Sequence, residues 1–255
     1  MTSKRARLAS LFAVIFVVTI VSRTVAAAEI KLVCSDGLKA VAEALIPQFE
    51  KTTGNRIAVT FGLTATLKQR IEGGEAFDLA ILTSTAIDDL IKGGKLAANT
   101  RTVIARSGLG LAIKAGAPKR DIKTVDAFKR ALLEAKSITY AKEGASGVAF
   151  AATAQKIGIA GDLQPKTKFA NGGAQVGEWV ATGEAQYGVL PVSEILPIKG
   201  AELLGTFPPD IQSYIVMVAG VNGAAAQPGP ARDLIKFFMS AAAEPVVKAK
   251  GMERQ

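Results

Sequence analysis

Four short turns carry the residues of this chain whose types and spacing could do chemistry. They are Ser35-Asp36-Gly37, Thr64-Ala65-Thr66, Ser146-Gly147 and Gly172-Gly173, and each stands at the start of a predicted helix. The first turn of a helix exposes unpaired backbone N–H groups and the positive end of the helix dipole, and hydroxyl side chains add donors. One such turn is an ordinary cap, whereas several that meet in one crevice form an anion site. The pattern predicts an anion site whose members are Ser35, Gly37, Thr64, Ser146, Gly147 and Gly173.

Three side chains near these turns could complete or disturb that site. The carboxylate of Asp36 would repel an anion, so we expect it to point away as a helix cap, unless the ligand is not a simple dianion. Arg70 could supply a compensating charge, although pairing with Glu72 or Glu75 on the surface is its more ordinary role. Tyr140 could line the pocket, with a place in the core as the alternative.

The composition excludes several kinds of catalytic and metal site. The chain has no histidine and one cysteine, Cys34, so it lacks the residues for Ser-His-Asp or Cys-His catalysis and the usual zinc ligands. The turn at Ser146 and Gly147 lacks the flanking residues of a nucleophile elbow. A single cysteine also excludes an intramolecular disulfide. We therefore predict no catalytic residue, no metal ion and no cofactor.

The elements that must position these turns alternate along the chain. Strands are predicted at 30–34, 57–61 and 77–82, and each is followed by a polar turn and a helix with apolar residues at i, i+3, i+4 and i+7. Units of this kind build a mostly parallel sheet with helices on its faces. Because the helix starts then gather at the carboxyl edge of the sheet, that edge is the expected ligand crevice.

A second series of such units predicts an α/β chain of two lobes. A glycine-punctuated extended segment near 105–113 and a long apolar one near 209–219 interrupt the alternation and predict two crossover strands between the lobes. The predicted division places 29–105 and 212–255 in lobe 1, and 106–211 in lobe 2. Each lobe is expected to hold a mostly parallel sheet flanked by helices.

The first 28 residues have the pattern of a secretory signal peptide. Lys4, Arg5 and Arg7 precede an apolar run over 8–21, and a run of alanines ends at Ala28. The run is shorter than the roughly twenty residues that a membrane-spanning helix needs, although an uncleaved anchor is the alternative. We predict cleavage near Ala28 and a periplasmic protein.

The charge of the mature chain argues against a nucleic-acid partner. Without the basic residues of the leader the net charge falls from +9 to +5, and Lys and Arg are interspersed with Asp and Glu. Scattered charge of this kind is typical of a solvated surface. We expect a monomer that binds a small anion.

Several segments together resemble the molybdate-binding branch of the type II periplasmic solute-binding proteins of ABC importers. They span the mature chain in the family's order: LKAV at 38–41, FGLTATL at 61–67, IEGGEAFDL at 71–79, GASG at 144–147, SEILP at 193–197 and KGME at 250–253. The resemblance implies a two-lobe fold that closes on its ligand by hinge motion and delivers it to an inner-membrane permease.

The resemblance also implies roles for individual positions. Thr64 matches a serine that contacts the oxyanion, and Ser146 and Gly173 match backbone donors. The second serine contact falls on Gly37, beside Ser35, and a tyrosine hydroxyl contact falls on Pro191, which can donate nothing.

Because two side-chain donors are replaced, ligands other than molybdate or tungstate stay open. Another oxyanion or a small organic acid could take contacts from Ser35, Tyr140 or Arg70. Two further alternatives are a secreted enzyme that works without histidine and the sensing half of a transcription regulator. The predicted leader argues against the regulator.

Overall fold

The computed structural model describes residues 27–255. The predicted signal peptide lies outside the described residues except for its last two, so it stays a prediction. Within 27–255 the helices are all too short or too polar to cross a membrane.

The strands of the described chain form one curled, mixed sheet. They are β1 (Glu29–Ser35), β2 (Arg56–Gly62), β3 (Leu79–Thr83), β4 (Thr102–Lys114), β5 (Ile138–Ala141), β6 (Thr167–Ala170), β7 (Tyr187–Pro191), β8 (Ala201–Thr206) and β9 (Tyr214–Val221). Their order across the sheet is β2-β1-β3-β9-β4-β7-β5-β6, and β8 also pairs with β4.

Helices follow most of these strands and flank the sheet. They are α1 (Lys39–Thr53), α2 (Thr64–Glu72), α3 (Ser84–Lys92), α4 (Val125–Leu133), α5 (Ala145–Lys156), α6 (Ala160–Leu163), α7 (Gly173–Thr182), α8 (Val192–Ile195), α9 (Pro228–Phe238) and α10 (Glu244–Ala249). A 3-10 turn at Asp36–Leu38 leads from β1 into α1.

The pairing pattern divides the sheet into two halves that share β4. In the first half β1 pairs in parallel with β2 and β3, and in the second half β5 pairs in parallel with β6 and β7. The long strand β4 joins the halves: residues 102–108 pair with β9, and residues 109–114 pair with β7 or β8, all antiparallel. The predicted crossover segments are thus β4 and the segment that includes β9, and they lie side by side.

The sequence of α1 shows why these helices form where they do. Its buried residues Val41, Leu45 and Phe49 recur at the spacing of one helical face, which packs on the sheet. Gly54 ends the helix in the left-handed conformation, with φ 74°, which a residue with a Cβ rarely adopts.

The core contains the chain's one thiol. Cys34 is fully buried in β1 within the main apolar cluster, which runs from β1 across the sheet to α9 and α10. Burial, assisted by the nearby charge of Asp36, raises the pKa of this thiol far above its ordinary value. The thiol is therefore a small apolar side chain in practice.

The predicted mixed α/β fold is confirmed, with additions that the sequence did not reveal. β6, β8 and α8 were not predicted. β6 and α8 have four residues each, and β8 is half-buried along nearly its whole length, so none shows a clear apolar period.

Candidate functional site

The predicted turns meet at a cavity between the two halves of the sheet. Its walls come from the carboxyl ends of β1, β2, β5, β6 and β7 or the residues that follow them. Ile215 and Met217 of β9 also line it. The cavity has a volume of about 30 Å³. This is the sheet edge at which α/β proteins place their ligands.

Two of the predicted hydroxyl donors touch each other in this cavity. Thr64, the first residue of α2, donates a hydrogen bond from Oγ1 to Oγ of Ser35, the last residue of β1, at 2.9 Å. Both side chains line the cavity. Since a hydroxyl can reorient, either one can turn its hydrogen towards a bound acceptor.

Three helices begin at the cavity wall. α2 starts at Thr64, α5 at Ala145 with Ser146 as its second residue, and α7 at Gly173. Their first turns hold backbone N–H groups without partners inside the helix, and their dipoles place positive charge at the same end. The cavity is therefore suited to a small group that accepts hydrogen bonds and carries negative charge.

The beginning of α8 brings a carboxyl group into the cavity wall. Glu194 lies against the start of α7, because a Cβ added to Gly173 would stand 2.2 Å from Oε2 of Glu194. The carboxyl is also near the 3-10 turn, since a Cβ on Gly37 would lie 3.7 Å from Oε1. Gly173 is thus a position where a side chain cannot be added without displacing Glu194.

Glu194 and Asp36 form a pair of carboxyl groups at this wall. Burial, together with the charge of Asp36, raises the pKa of Glu194 from 4.5 to about 7. Burial also raises the pKa of Asp36, and the ammonium of Lys39 partly opposes that shift. Near neutral pH, Glu194 therefore exists as a mixture of the acid and the carboxylate.

This arrangement corrects one expectation and adds one residue that the sequence reasoning missed. Asp36 was expected to point away from the ligand, but it lines the cavity together with Glu194. The first turn after β1 is wound as a 3-10 helix, which brings the side chain to the cavity wall. Glu194 itself was missed. The signal for it was an acidic residue three positions beyond the end of a fully buried strand, at the edge where the other turns meet.

Three of the predicted positions lie outside the lining of this cavity: Gly147, Tyr140 and Arg70. Gly147 packs under it: a Cβ there would stand 1.9 Å from the carbonyl oxygen of Ala141. Tyr140 packs edge-on against Phe150, with ring centroids 5.2 Å apart, so the core role applies.

Arg70 lies at the surface, whereas Pro191 lies at the cavity wall. Arg70 is exposed and forms a two-pronged ion pair with Glu75, with nitrogen to oxygen distances of 2.5 and 2.7 Å. Its charge is therefore used at the surface. Pro191 does line the cavity, at the end of β7, where it offers no N–H.

A chain of buried hydrogen bonds crosses between the halves beside the cavity. Ser193 donates from Oγ to the carbonyl of Gly37 at 3.0 Å, and its N–H donates to Oγ of Ser107 at 3.1 Å. Ser107 in turn donates to the carbonyl of Gly251 at 3.0 Å. The position of α8, and with it Glu194, is fixed by these bonds.

A larger chamber opens beside the small cavity. It has a volume of about 430 Å³ and shares Thr64, Ala145 and Ile215 with the inner cavity. Its wall adds Lys68 and Tyr214, along with the first residues of α3. A ligand of more than a few atoms could thus extend outwards from the inner site.

The acidic and thiol side chains of the described residues do not gather into a cluster of metal ligands. In the part of the chain from 27 to 255, no cluster of three or more Cys, Asp or Glu side chains could hold a metal ion. The chemistry of the site is that of an acceptor ligand held by N–H and O–H groups.

Comparisons with known proteins place these features in a family. A model of the family described as bacterial extracellular solute-binding protein matches residues 30–253. An aconitate isomerase of a Pseudomonas species is 28% identical over 225 residues, which cover 86% of this chain and 85% of that protein. The molybdate-binding protein ModA of Azotobacter vinelandii is 26% identical over 238 residues, which cover 88% of this chain and 90% of that protein.

A solved structure shows the same fold. The periplasmic molybdate-binding protein of Azotobacter vinelandii matches with a TM-score of 0.76 at 20% identity, covering 89% of this chain and 99% of that one. The likeness extends over the whole curled sheet and its flanking helices.

Proposed function

The chain belongs to the bacterial extracellular solute-binding proteins, which confirms the resemblance seen in its sequence, and from this premise we propose that it captures a small anion for an ABC importer. The anion is held in the inner cavity and delivered to an inner-membrane permease. The observation that carries this proposal is the meeting of three helix starts and two hydroxyls at one enclosed point.

Capture requires that the two halves of the molecule act as lobes. We assign 29–105 and 212–255 to lobe 1, and 106–211 to lobe 2, so that the cavity lies between them. β4 and the segment of β9 form the hinge, since they are the strands that pass between the halves. The chain of bonds through Ser107 and Ser193 then connects the lobes in the closed form.

The ligand is an anion that accepts hydrogen bonds. One candidate is molybdate or tungstate, and the other is a small organic acid. Relatives and structural neighbours that bind molybdate support the first. The outer chamber and the two carboxyl groups support the second, because an organic acid can extend outwards and carry fewer charges at the inner end. The leader at 1–28 would direct the protein to the periplasm, where such a ligand is collected.

Melting temperatures measured with a panel of anions test the proposal. Residues 29–255, stripped of ligand, should melt higher with one of molybdate, tungstate, sulfate, phosphate, succinate or citrate, because a ligand that binds only the folded state stabilises it. At a hundred times Kd the stabilisation is about 2.7 kcal/mol. A flat response to every member of the panel would refute anion capture at this site.

A second function is favoured by one observation, the ionisable carboxyl of Glu194 in the cavity. A relative is an aconitate isomerase, and one route that isomerises aconitate moves a proton away from one carbon and back to another. As carboxylate, Glu194 would take the proton, the C–H electron pair would form the new double bond, and the former double-bond pair would accept the proton back at the other end of the allyl system. A pKa near 7 suits a group that both takes and gives a proton.

Proton NMR in deuterated buffer separates this second function from capture alone. Incubation with cis-aconitate should produce the trans isomer, with deuterium at the reprotonated carbon whenever the acid form of Glu194 exchanges with solvent before it returns the proton, and Glu194→Gln should abolish the conversion. Glu178→Gln, a change at an exposed position of α7 away from both cavities, is the matched control. Binding of aconitate without any conversion by the unaltered protein would exclude the isomerase.

A further inference from the structure

We propose that Glu194 determines ligand specificity by binding the anion as a neutral carboxylic acid whose O–H is a donor, so that each anion enters together with one proton. The proposal deepens the proposed function of the same cavity and rests on it. It differs from anion binding by helix starts alone, which involves no titrating group.

The first argument is the position of the carboxyl. Glu194 lines the cavity and occupies the space that any side chain at position 173 would fill, so it stands at the start of α7, where a bound anion must come. The hydrogen bonds of the neighbouring Ser193 to Gly37 and Ser107 fix α8 from both sides. The carboxyl is therefore held beside the ligand by its own backbone.

The second argument is the supply of donors on this wall. β7 ends in Pro191, which has no N–H, and Gly37 on the facing turn has no side chain. The wall between α7 and the 3-10 turn can therefore give a side-chain donor only from α8. An ionised carboxylate accepts only, whereas the acid form adds one O–H donor.

The third argument is the set of charges around Glu194. The negative charge of Asp36 raises the pKa of Glu194 and so favours the acid form of Glu194. The elements packed on α8 also carry Arg106, Lys114 and Glu202, and each of these is engaged elsewhere. Arg106 pairs with Glu253, Lys114 donates to the carbonyl of Thr182, and Glu202 pairs with Lys119.

On its other face Glu194 borders a side pocket lined by Asp36, Lys39 and Glu43. The ammonium of Lys39 lies 3.9 Å from the Glu43 carboxylate, which shares its charge. The surroundings therefore provide no full counter-charge for an ionised Glu194. A bound anion adds a further negative charge at short range, which drives the carboxyl to its protonated form.

Two consequences can be measured. Above about pH 7 the affinity of the unaltered protein should fall by about tenfold per pH unit, because the competent acid form becomes scarce in that proportion. Glu194→Gln should remove the pH dependence, since its amide keeps an N–H donor without titrating.

Isothermal titration calorimetry with molybdate and with succinate, from about pH 6 to pH 9, tests both. Each titration is repeated in two buffers of different ionisation enthalpy. The difference between the two observed binding enthalpies gives the number of protons taken up per anion bound. We expect about one proton per anion near pH 8 and almost none at pH 6. Glu178→Gln, which removes an exposed carboxylate from α7 away from both cavities, should behave as the unaltered protein.

The outcomes are distinct. Anion binding with a buffer-independent enthalpy and no pH dependence would overturn the role of Glu194 and leave anion capture intact. Failure of both probes at every pH, together with a flat melting response to the whole panel of anions, would overturn capture, and the role of Glu194 with it. If Glu194→Gln does not fold, as judged by its melting curve, the proton count of the unaltered protein decides alone.

Discussion

At the scale of single residues, the contact between Thr64 and Ser35 defines the donor set. The two hydroxyls come from different strand ends, and their hydrogen bond of 2.9 Å keeps both at the wall of the inner cavity. In the absence of a ligand they satisfy each other. A bound anion replaces that bond with stronger ones, because hydrogen bonds to a charged acceptor contribute about twice as much as neutral ones.

Thr64→Ala should therefore weaken anion binding by about tenfold to a hundredfold. The loss corresponds to one charged hydrogen bond of about 1.5–3 kcal/mol. Calorimetry with the anion that gives the largest shift in melting temperature measures the effect. Thr52→Ala removes an exposed helical hydroxyl that bonds only to Gln48, so it should leave the affinity unchanged. Equal affinities of the two variants would show that Thr64 does not contact the ligand.

Glu194→Gln should change how stability depends on pH even without ligand. The pKa of Glu194 in the folded state, about 7, lies above its ordinary value of 4.5, so between these values the folded state binds more protons than the unfolded state. Stability of the unaltered protein must then fall as the pH rises from about 4.5 to 7, and it stays lower above 7.

Removing that titration should make the variant more stable above pH 7 by about 1–2 kcal/mol, a reduced figure because the side chain is partly exposed to water. Urea unfolding at pH 5 and pH 8 measures the difference. An unchanged difference between variant and parent at the two pH values would contradict the shifted pKa.

At the scale of elements, the site depends on how closely α5 approaches β5. The backbone of Gly147 packs against the carbonyl of Ala141, and this contact seats the start of α5 at the cavity. Helix starts at Thr64, Ser146 and Gly173 could be predicted from the sequence, because caps and glycines are local signals.

The role of Glu194 could not be predicted in the same way. α8 has only four residues, which is too short for an apolar period, and the carboxyl reaches the site only because Gly173 leaves room for it. Contacts between residues that far apart in the chain are set by packing and not by local propensity. The surface pairing of Arg70 with Glu75, by contrast, is a local contact that the sequence offered as the ordinary role of Arg70.

Gly147→Ala should destabilise the fold by about 1–3 kcal/mol and weaken anion binding as well. The added methyl group would stand 1.9 Å from a backbone oxygen that cannot rotate away, so α5 must shift from its place at the cavity. Gly161→Ala in α6 meets nothing within 4 Å and is the matched control, which should be neutral or slightly stabilising. Melting curves and calorimetry on the two variants provide the comparison, and similar behaviour would contradict the packing argument.

At the scale of the whole molecule, the bonds through Ser107 and Ser193 connect the two halves. They run from Gly37 on one side through α8 and β4 to Gly251, and both serines are buried. β4 itself pairs with strands of both halves. Under the proposed lobe division, closure would depend on these polar contacts in addition to the ligand.

Ser193→Ala should weaken anion binding by about fivefold to tenfold. It removes one bond of about 1–1.5 kcal/mol between the lobes and so disfavours the closed form. Ser240→Ala loses a bond to Phe237 within the same segment and should not affect affinity. If Ser193→Ala lowers the melting temperature but leaves Kd unchanged, the contact is structural and takes no part in closure.

The burial of Cys34 makes the domain convenient for single-molecule fluorescence. Because the native thiol is sealed in β1 and resists ionisation, a maleimide dye will ignore it. Cysteines introduced at Thr85 and Glu143, which are exposed at opposite rims of the outer chamber, can then carry a donor and an acceptor dye. Energy transfer between them would follow individual opening and closing events without any further change to the chain.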